Sequence, residues 1–274
     1  MKAAMFKMHA ASDLDSATRL LADLGGDAKP SAGSQSLGPM LNLRLVRPDA
    51  LVDIGRAGDL RGVHETPDAI VYGAALTHAA FEDGLVPDAT PGWLAPIARH
   101  IAYRAVRNRG TIGGSLAHAD PAADWVVTLT ALGASVIVAD RSGEYEIALP
   151  DLFVGPLQTV LSPGQVIRAV RLPRRSPAAR WGYWKFCRKV GEFAKASAAV
   201  LIDPDSGETR LVAGAIDAPP VLLPQAEEMI AGEADIATAI ARAVPGLSPA
   251  RMTLQVTATR RAIAALSIQP GARP

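Results

Sequence analysis

Apolar and polar positions alternate along this chain in short stretches of two different periods. Ala4 to His9 alternates as a strand, and Leu14, Ala17, Leu20, Leu21 and Leu24 then share one face of a helix. Ser12 or Asp13 can cap that helix and Gly25-Gly26 stop it. Ala28 to Ala32 predicts a second strand, Gly33-Ser34-Gln35-Ser36 a loop, and Leu37 to Leu45 a helix halted by Pro48. Ala50 to Ile54 closes this first unit as a strand.

The next region predicts strands over Ala69 to Ala74, Ala134 to Ala139 and Val166 to Leu172, with helices over Pro91 to Tyr103 and Asp120 to Leu132. Pro173-Arg174-Arg175-Ser176-Pro177 reads as a linker. Beyond it, Ala194 to Ile202 and Glu208 to Ala215 predict a hairpin turning at Asp203-Pro204-Asp205-Ser206-Gly207. Helical pieces follow near Gln225 to Ala231, Ile236 to Val244 and Thr257 to Leu266. The pattern is α+β (mixed α/β), with lobes over residues 1–56, 57–175 and 176–274 and no internal repeat.

Composition narrows the function. With 274 residues, 49% of them hydrophobic, the chain can bury the cores of two or three small domains. Its 28 basic and 27 acidic side chains nearly cancel, which argues against a general nucleic-acid binder, since counterion release needs clustered Lys and Arg. The Arg171 to Arg175 run lies beside prolines and reads as a solvated linker. A single cysteine, Cys187, allows neither an intrachain disulfide nor an iron–sulfur cluster held by this chain alone. The first residues contain no signal-peptide-like apolar stretch, and no run approaches the roughly 18 apolar residues of a membrane span. A soluble, cytoplasmic protein is the expectation.

Two small-residue stretches carry the candidate chemistry. In Lys29-Pro30-Ser31-Ala32-Gly33-Ser34-Gln35-Ser36-Leu37-Gly38-Pro39 a strand ends in a loop that opens a helix, where backbone amides can meet an anion. An ordinary tight turn explains this loop slightly better when it is taken alone, and it is neither a Rossmann nor a P-loop fingerprint. Arg109-Gly110-Thr111-Ile112-Gly113-Gly114-Ser115-Leu116 is the second stretch, its paired glycines removing side chains that would hold a ligand away. Together they suit a ligand with two phosphates, the amides of 32–36 and 111–115 converging on it from opposite sides. In His118-Ala119-Asp120-Pro121-Ala122-Ala123-Asp124, Asp120 is expected to cap a helix. Asp124, one turn further, reads as an acceptor for sugar hydroxyls, or else as a surface charge.

These segments, in this order, resemble the flavin-binding medium subunit of the xanthine dehydrogenase and carbon monoxide dehydrogenase family of molybdenum hydroxylases. AGSQSLGPMLNLRLVRP followed by LVDI is similar to its first FAD loop, NRGTIGGSLAHADPAAD to its second, and GQVIRAVRLP and WKFCRKVGEFAKASAAV to later segments. The resemblance implies FAD lying between two α/β lobes, followed by a C-terminal sheet with helices. Lys29, Pro30, Ser31, Ala32, Gly33, Ser34, Gln35 and Ser36 would cradle the diphosphate from one side, and Thr111, Ile112, Gly113, Gly114 and Ser115 from the other. It also implies that Asp124 contacts sugar hydroxyls, that Ile101 and Ile167 give apolar flavin contacts, and that Lys185 and Phe193 lie near the isoalloxazine.

The partners so implied are a large molybdopterin subunit and a small subunit with two [2Fe–2S] clusters, in a heterotrimer or a dimer of heterotrimers. The chain would relay electrons through FAD to an external acceptor. Two departures stand out: Ser34 where the family has a second glycine, and Glu192 where Asp is common. HADPAAD also differs from the GDPGND-like sequence of carbon monoxide dehydrogenases, which points to an organic substrate: an N-heterocycle, a purine or an aldehyde. A self-sufficient flavin oxidoreductase and a non-catalytic scaffold with decayed FAD loops are the two alternatives. His78, His100 and His118 have no metal-ligand spacing. Trp181, Tyr183, Trp184 and Phe186 form a cluster that suits either a core or a partner surface, and Cys187 suits a small buried apolar position.

Overall fold

In the computed structural model, which describes residues 2–266, each of the three main sheets belongs to a separate stretch of sequence. The first stretch forms β1 (Lys7–Ala10), α1 (Leu14–Leu24), β2 (Ala28–Ser31), α2 (Leu37–Asn42) and β3 (Ala50–Asp53). β3 lies between β1 and β2, parallel to both, so each connection must cross over the sheet through a helix. Asp13 caps α1 by accepting from the Ser16 amide at 2.8 Å. Ala17 and Leu21 place the apolar stripe of α1 on Val52 and Ile54. α2 ends before the predicted Leu45, because Arg44 turns left-handed at φ 57°.

The middle stretch runs through β4 (Val63–Glu65), β5 (Ala69–Gly73), α3 (His78–Glu82), α4 (Leu94–His100), α5 (Arg104–Arg107), α6 (Ile112–His118) and α7 (Asp124–Ala131). It continues with β6 (Ser135–Asp140), β7 (Gly143–Ala148), α8 (Leu149–Leu152), β8 (Phe153–Gly155), β9 (Gln158–Thr159) and β10 (Val166–Pro173). Its antiparallel sheet has the order β4-β5-β10-β6-β7, while β8 and β9 pair separately. Trp93, Trp125, Tyr72 and Phe81 are fully buried in its core, with the Phe81 ring 5.2 Å from Tyr72 and 5.3 Å from Trp125.

Two expectations are corrected here. Asp120 does not cap a helix: its carboxylate accepts from the Ala122 amide at 2.9 Å, a local turn that competes with helix, and α7 begins at Asp124. The Arg171 to Arg175 run is no solvated linker. β10 runs into it as far as Pro173, Arg171 and Arg174 pair with Asp68 and Glu65, and Arg175, its side chain 3% exposed, bonds Glu208 and the Leu132 carbonyl.

The last stretch holds β11 (Arg180–Phe186), β12 (Ala196–Asp203), β13 (Glu208–Gly214), β14 (Val221–Leu222), α9 (Ala226–Ala231), α10 (Ile236–Ala243) and α11 (Pro249–Ala265). Its strands are antiparallel in chain order. α7 packs against β12 and β13, closely enough that a Cβ on Gly214 would lie 2.1 Å from Val127. Ala199, Leu201 and Val212 therefore join the middle core, and α7 is buried along its whole length. α11 covers the other face of this sheet.

Candidate functional site

The end of β2 and the loop after it form one wall of a cavity of about 560 Å³. The chain turns there at Ser34, whose φ of 56° is left-handed and costs a serine on the order of 1 kcal/mol. This turn is the physical reason a glycine suits the position. The Ser31 and Ser34 hydroxyls bond each other at 2.7 Å, and the Gln35 side-chain amide donates to the Gly33 carbonyl at 2.9 Å. The backbone amides of Gly33, Ser34, Gln35 and Ser36 have no acceptor among the described residues. Such a row of unpaired N–H groups is a cradle for an anion.

The opposite wall is the start of α6, and here the structure differs from a loop of free amides. Thr111 caps the helix by accepting from the Gly114 amide at 3.1 Å. The Ile112 and Gly113 amides donate to the Leu76 and Ala74 carbonyls at 3.0 and 2.9 Å, and that of Ser115 to the Thr111 carbonyl at 3.0 Å. What this wall offers a ligand is the hydroxyls of Thr111 and Ser115, with bare Gly114 exposed between them. The two walls touch at Gly33, where a Cβ would lie 2.1 Å from the Arg109 carbonyl oxygen and 2.8 Å from Gly110 Cα.

Asp124, in the first turn of α7, forms part of the floor. Its Oδ1 accepts from the Tyr183 hydroxyl at 2.7 Å and from the Lys185 ammonium at 2.8 Å, and Lys185 also donates to the His100 carbonyl at 2.8 Å. Both charged side chains are 8% exposed, so the pair is buried. Oδ2 carries no hydrogen bond among the described residues and remains available to a ligand hydroxyl. Burial, reinforced by the Asp124 carboxylate, holds the Tyr183 phenol well above its usual range, so it stays a donor.

His78 borders the same space, its Nδ1 accepting from the Trp125 indole N–H at 3.0 Å. Burial and then the Arg107 charge pull this imidazole down to about 4, so it is neutral at pH 7. Burial first, then Lys185, also lowers His100. At the mouth, Ala102 turns left-handed at φ 40°, held by Arg107, which donates to the Ile101 and Ala102 carbonyls at 2.8 and 3.1 Å and pairs with Glu82. Tyr103 lies against Gly191, and Phe193 stands beside it, 60% exposed.

Of the residues singled out in the sequence, Lys29, Pro30, Ser31, Ala32, Gly33, Ser34, Gln35, Ser36, Ile101, Thr111, Gly114, Ser115, Asp124 and Phe193 line this cavity. Ile112, Gly113, Ile167 and Lys185 do not. Ile112 is fully buried in the core, and Gly113 lets α6 close on the turn after β5, since a Cβ there would lie 2.4 Å from that of Ala74. Ile167 sits inside β10 at 4% exposure, and Lys185 stands behind Asp124. His78 went unnoticed in the sequence as a lining residue.

Residues 4–175 match the model of the FAD binding domain in molybdopterin dehydrogenase. The chain belongs to this family. It is 36% identical over 91% of its length to the 6-hydroxypseudooxynicotine dehydrogenase complex subunit alpha of Paenarthrobacter nicotinovorans, covering 87% of that protein. With the nicotine 6-hydroxylase medium subunit of the same organism it shares 35% identity, covering 75% of this chain and 73% of the relative. A solved carbon monoxide dehydrogenase from Hydrogenophaga pseudoflava superposes with a TM-score of 0.88 at 30% identity, over 97% of this chain and 98% of that one.

As a member of this family the chain is an oxidoreductase component that binds FAD. The cavity fits the cofactor: its volume falls in the usual 300–1,000 Å³ range of ligand sites, and one wall presents the unpaired amides that a diphosphate requires. Among the described residues no three His, Cys, Asp or Glu side chains group to hold a metal, and no helix is long and apolar enough to cross a membrane.

Proposed function

We propose that this chain is the FAD-carrying medium subunit of a molybdenum hydroxylase complex, docked with a large molybdopterin subunit and a small [2Fe–2S] subunit in a heterotrimer or a dimer of heterotrimers. The complex is cytoplasmic and hydroxylates an organic N-heterocycle, purine or aldehyde in preference to CO. The relatives named for nicotine and 6-hydroxypseudooxynicotine support that substrate class. Bound FAD supplies the redox chemistry, linking the clusters of the small subunit to an external acceptor.

The residues of this chain bind and orient. The lobes of residues 1–56 and 57–175 hold FAD between them, Gly33 to Ser36 taking the diphosphate by their amides and Thr111 and Ser115 by their hydroxyls. Asp124 accepts sugar hydroxyls on Oδ2, while Tyr183 and Lys185 fix the carboxylate and neutralise it, so that it does not repel the phosphates. Ile101 and Phe193 give the ring system apolar walls. The observation that carries this reading is the contact of the two walls at Gly33.

Expression of the full chain alone tests it. A yellow protein with one FAD per chain and no hydroxylase activity is expected. Turnover of an organic donor by the chain alone, or a colourless protein that ignores added FAD, would overturn the proposal.

A further inference from the structure

We infer that His78 is an additional FAD ligand, its Nε2–H donating to a diphosphate oxygen where the two walls meet. The inference rests on the cavity being the FAD site. The imidazole is 95% withdrawn from solvent, its residue exposure being 5%. Its Nδ1 is occupied as an acceptor by the Trp125 indole N–H at 3.0 Å, and in a neutral imidazole that places the proton on Nε2. Nε2 then has no acceptor among the described residues, although the side chain lines the cavity. Nε2 is not sealed in the protein but opens on the cavity, so the acceptor it lacks within the chain can be supplied by a ligand bound there.

Position identifies which part of the ligand. A Cβ on Gly110 would lie 2.8 Å from both Cδ2 and Nε2 of His78, so the bareness of Gly110 is what lets the ring edge come this close. Gly110 is in turn the residue that Gly33 abuts, which places His78 at the junction of the two walls. The ring is also held: Trp125 is fully buried and packs edge-on against Phe81, so the imidazole cannot swing aside without breaking that core.

The test uses the full chain stripped of flavin and measures dissociation constants for FAD and for riboflavin, which has no phosphate. His78→Asn keeps an acceptor near the Nδ1 position for Trp125 but has no donor at the Nε2 position. It should bind FAD about tenfold more weakly, with riboflavin affinity unchanged. His78→Gln, whose amide nitrogen reaches the Nε2 position, should recover FAD affinity to within about threefold. Wild-type FAD affinity in His78→Asn, or an equal loss for riboflavin, would overturn the inference. Should His78→Asn fail to fold, nitrogen-15 NMR of the wild-type chain decides the matter. The His78 Nε2–H resonance is expected to move downfield with FAD and not with riboflavin, and an unmoved resonance would overturn the inference. A wild-type chain that binds no FAD would instead sink the assignment of the cavity.

Discussion

Lys185→Met would strip the Asp124 carboxylate of its ammonium partner in a site where both side chains are 8% exposed. Removing one member of a buried ion pair costs about 3–5 kcal/mol, because the other charge is left desolvated and uncompensated. Tyr183 still donates to Oδ1, so the lower end of that range applies. For a chain of this size each kcal/mol moves the melting temperature by roughly 2–4 °C, giving a fall on the order of 10 °C. Asp124→Asn should cost a similar amount, now by stranding Lys185. The double variant Asp124→Asn/Lys185→Met buries no charge and should recover most of the loss, ending within about 2 kcal/mol of wild type. The assay is thermal unfolding of the flavin-free chain followed by circular dichroism, completed as a double-mutant cycle. Strictly additive losses, with coupling under about 0.5 kcal/mol, would refute the claim that the two charges depend on each other.

Three further outcomes are expected. Gly33→Ala places a Cβ 2.1 Å from a backbone oxygen that no rotamer change can relieve, so the walls must part. Stability should fall by about 1–3 kcal/mol with loss of bound flavin, and wild-type flavin content would contradict the contact. Gly114→Val meets the Thr111 hydroxyl at 2.8 Å and otherwise points into open cavity. The chain should therefore fold but hold little FAD, and full occupancy measured from the flavin absorbance would count against Gly114 as a cavity wall. His78 has a folded-state pKa of about 4 against an ordinary 6.5, so the unfolded chain binds more protons between those values and stability is lost as pH falls from 6.5 toward 4. The shift corresponds to about 3 kcal/mol, and urea titrations at pH 7 and 4.5 should show a smaller drop in His78→Asn than in wild type; equal drops would contradict the buried neutral imidazole.

Legibility in the sequence followed how local each cause was. α1 could be read to within a residue, the cap lying between Ser12 and Asp13 and the stop at Gly25-Gly26, because these and the stripe ending at Leu24 are all neighbours in the chain. β11 could not, since aromatic residues stand on both of its faces: Trp181 and Tyr183 pack on the large core and Trp184 on the C-terminal one, which erases the alternation. α11 begins at Pro249, before the predicted Thr257, because its buried face carries Gln255 and Thr259 beside Ala258 and Ala262 and shows no apolar stripe. The first wall of the site was visible as a run of small residues. In the second wall the glycines were visible but not the fate of the Ile112 and Gly113 amides, whose acceptors Leu76 and Ala74 lie in the turn just after β5. Asp124 stood out in the sequence, but its burial against Tyr183 and Lys185, like the bond from Trp125 to His78, joins residues 47 to 61 positions apart, and no local pattern announces those partners.

A crystal structure of the chain loaded with FAD tests the central claim most directly. The diphosphate should lie in the cleft beside Gly33, its oxygens within hydrogen-bond distance of the amides of Gly33 to Ser36 on one side and the hydroxyls of Thr111 and Ser115 on the other. FAD bound elsewhere, or a diphosphate that leaves those four amides unpaired, would contradict it.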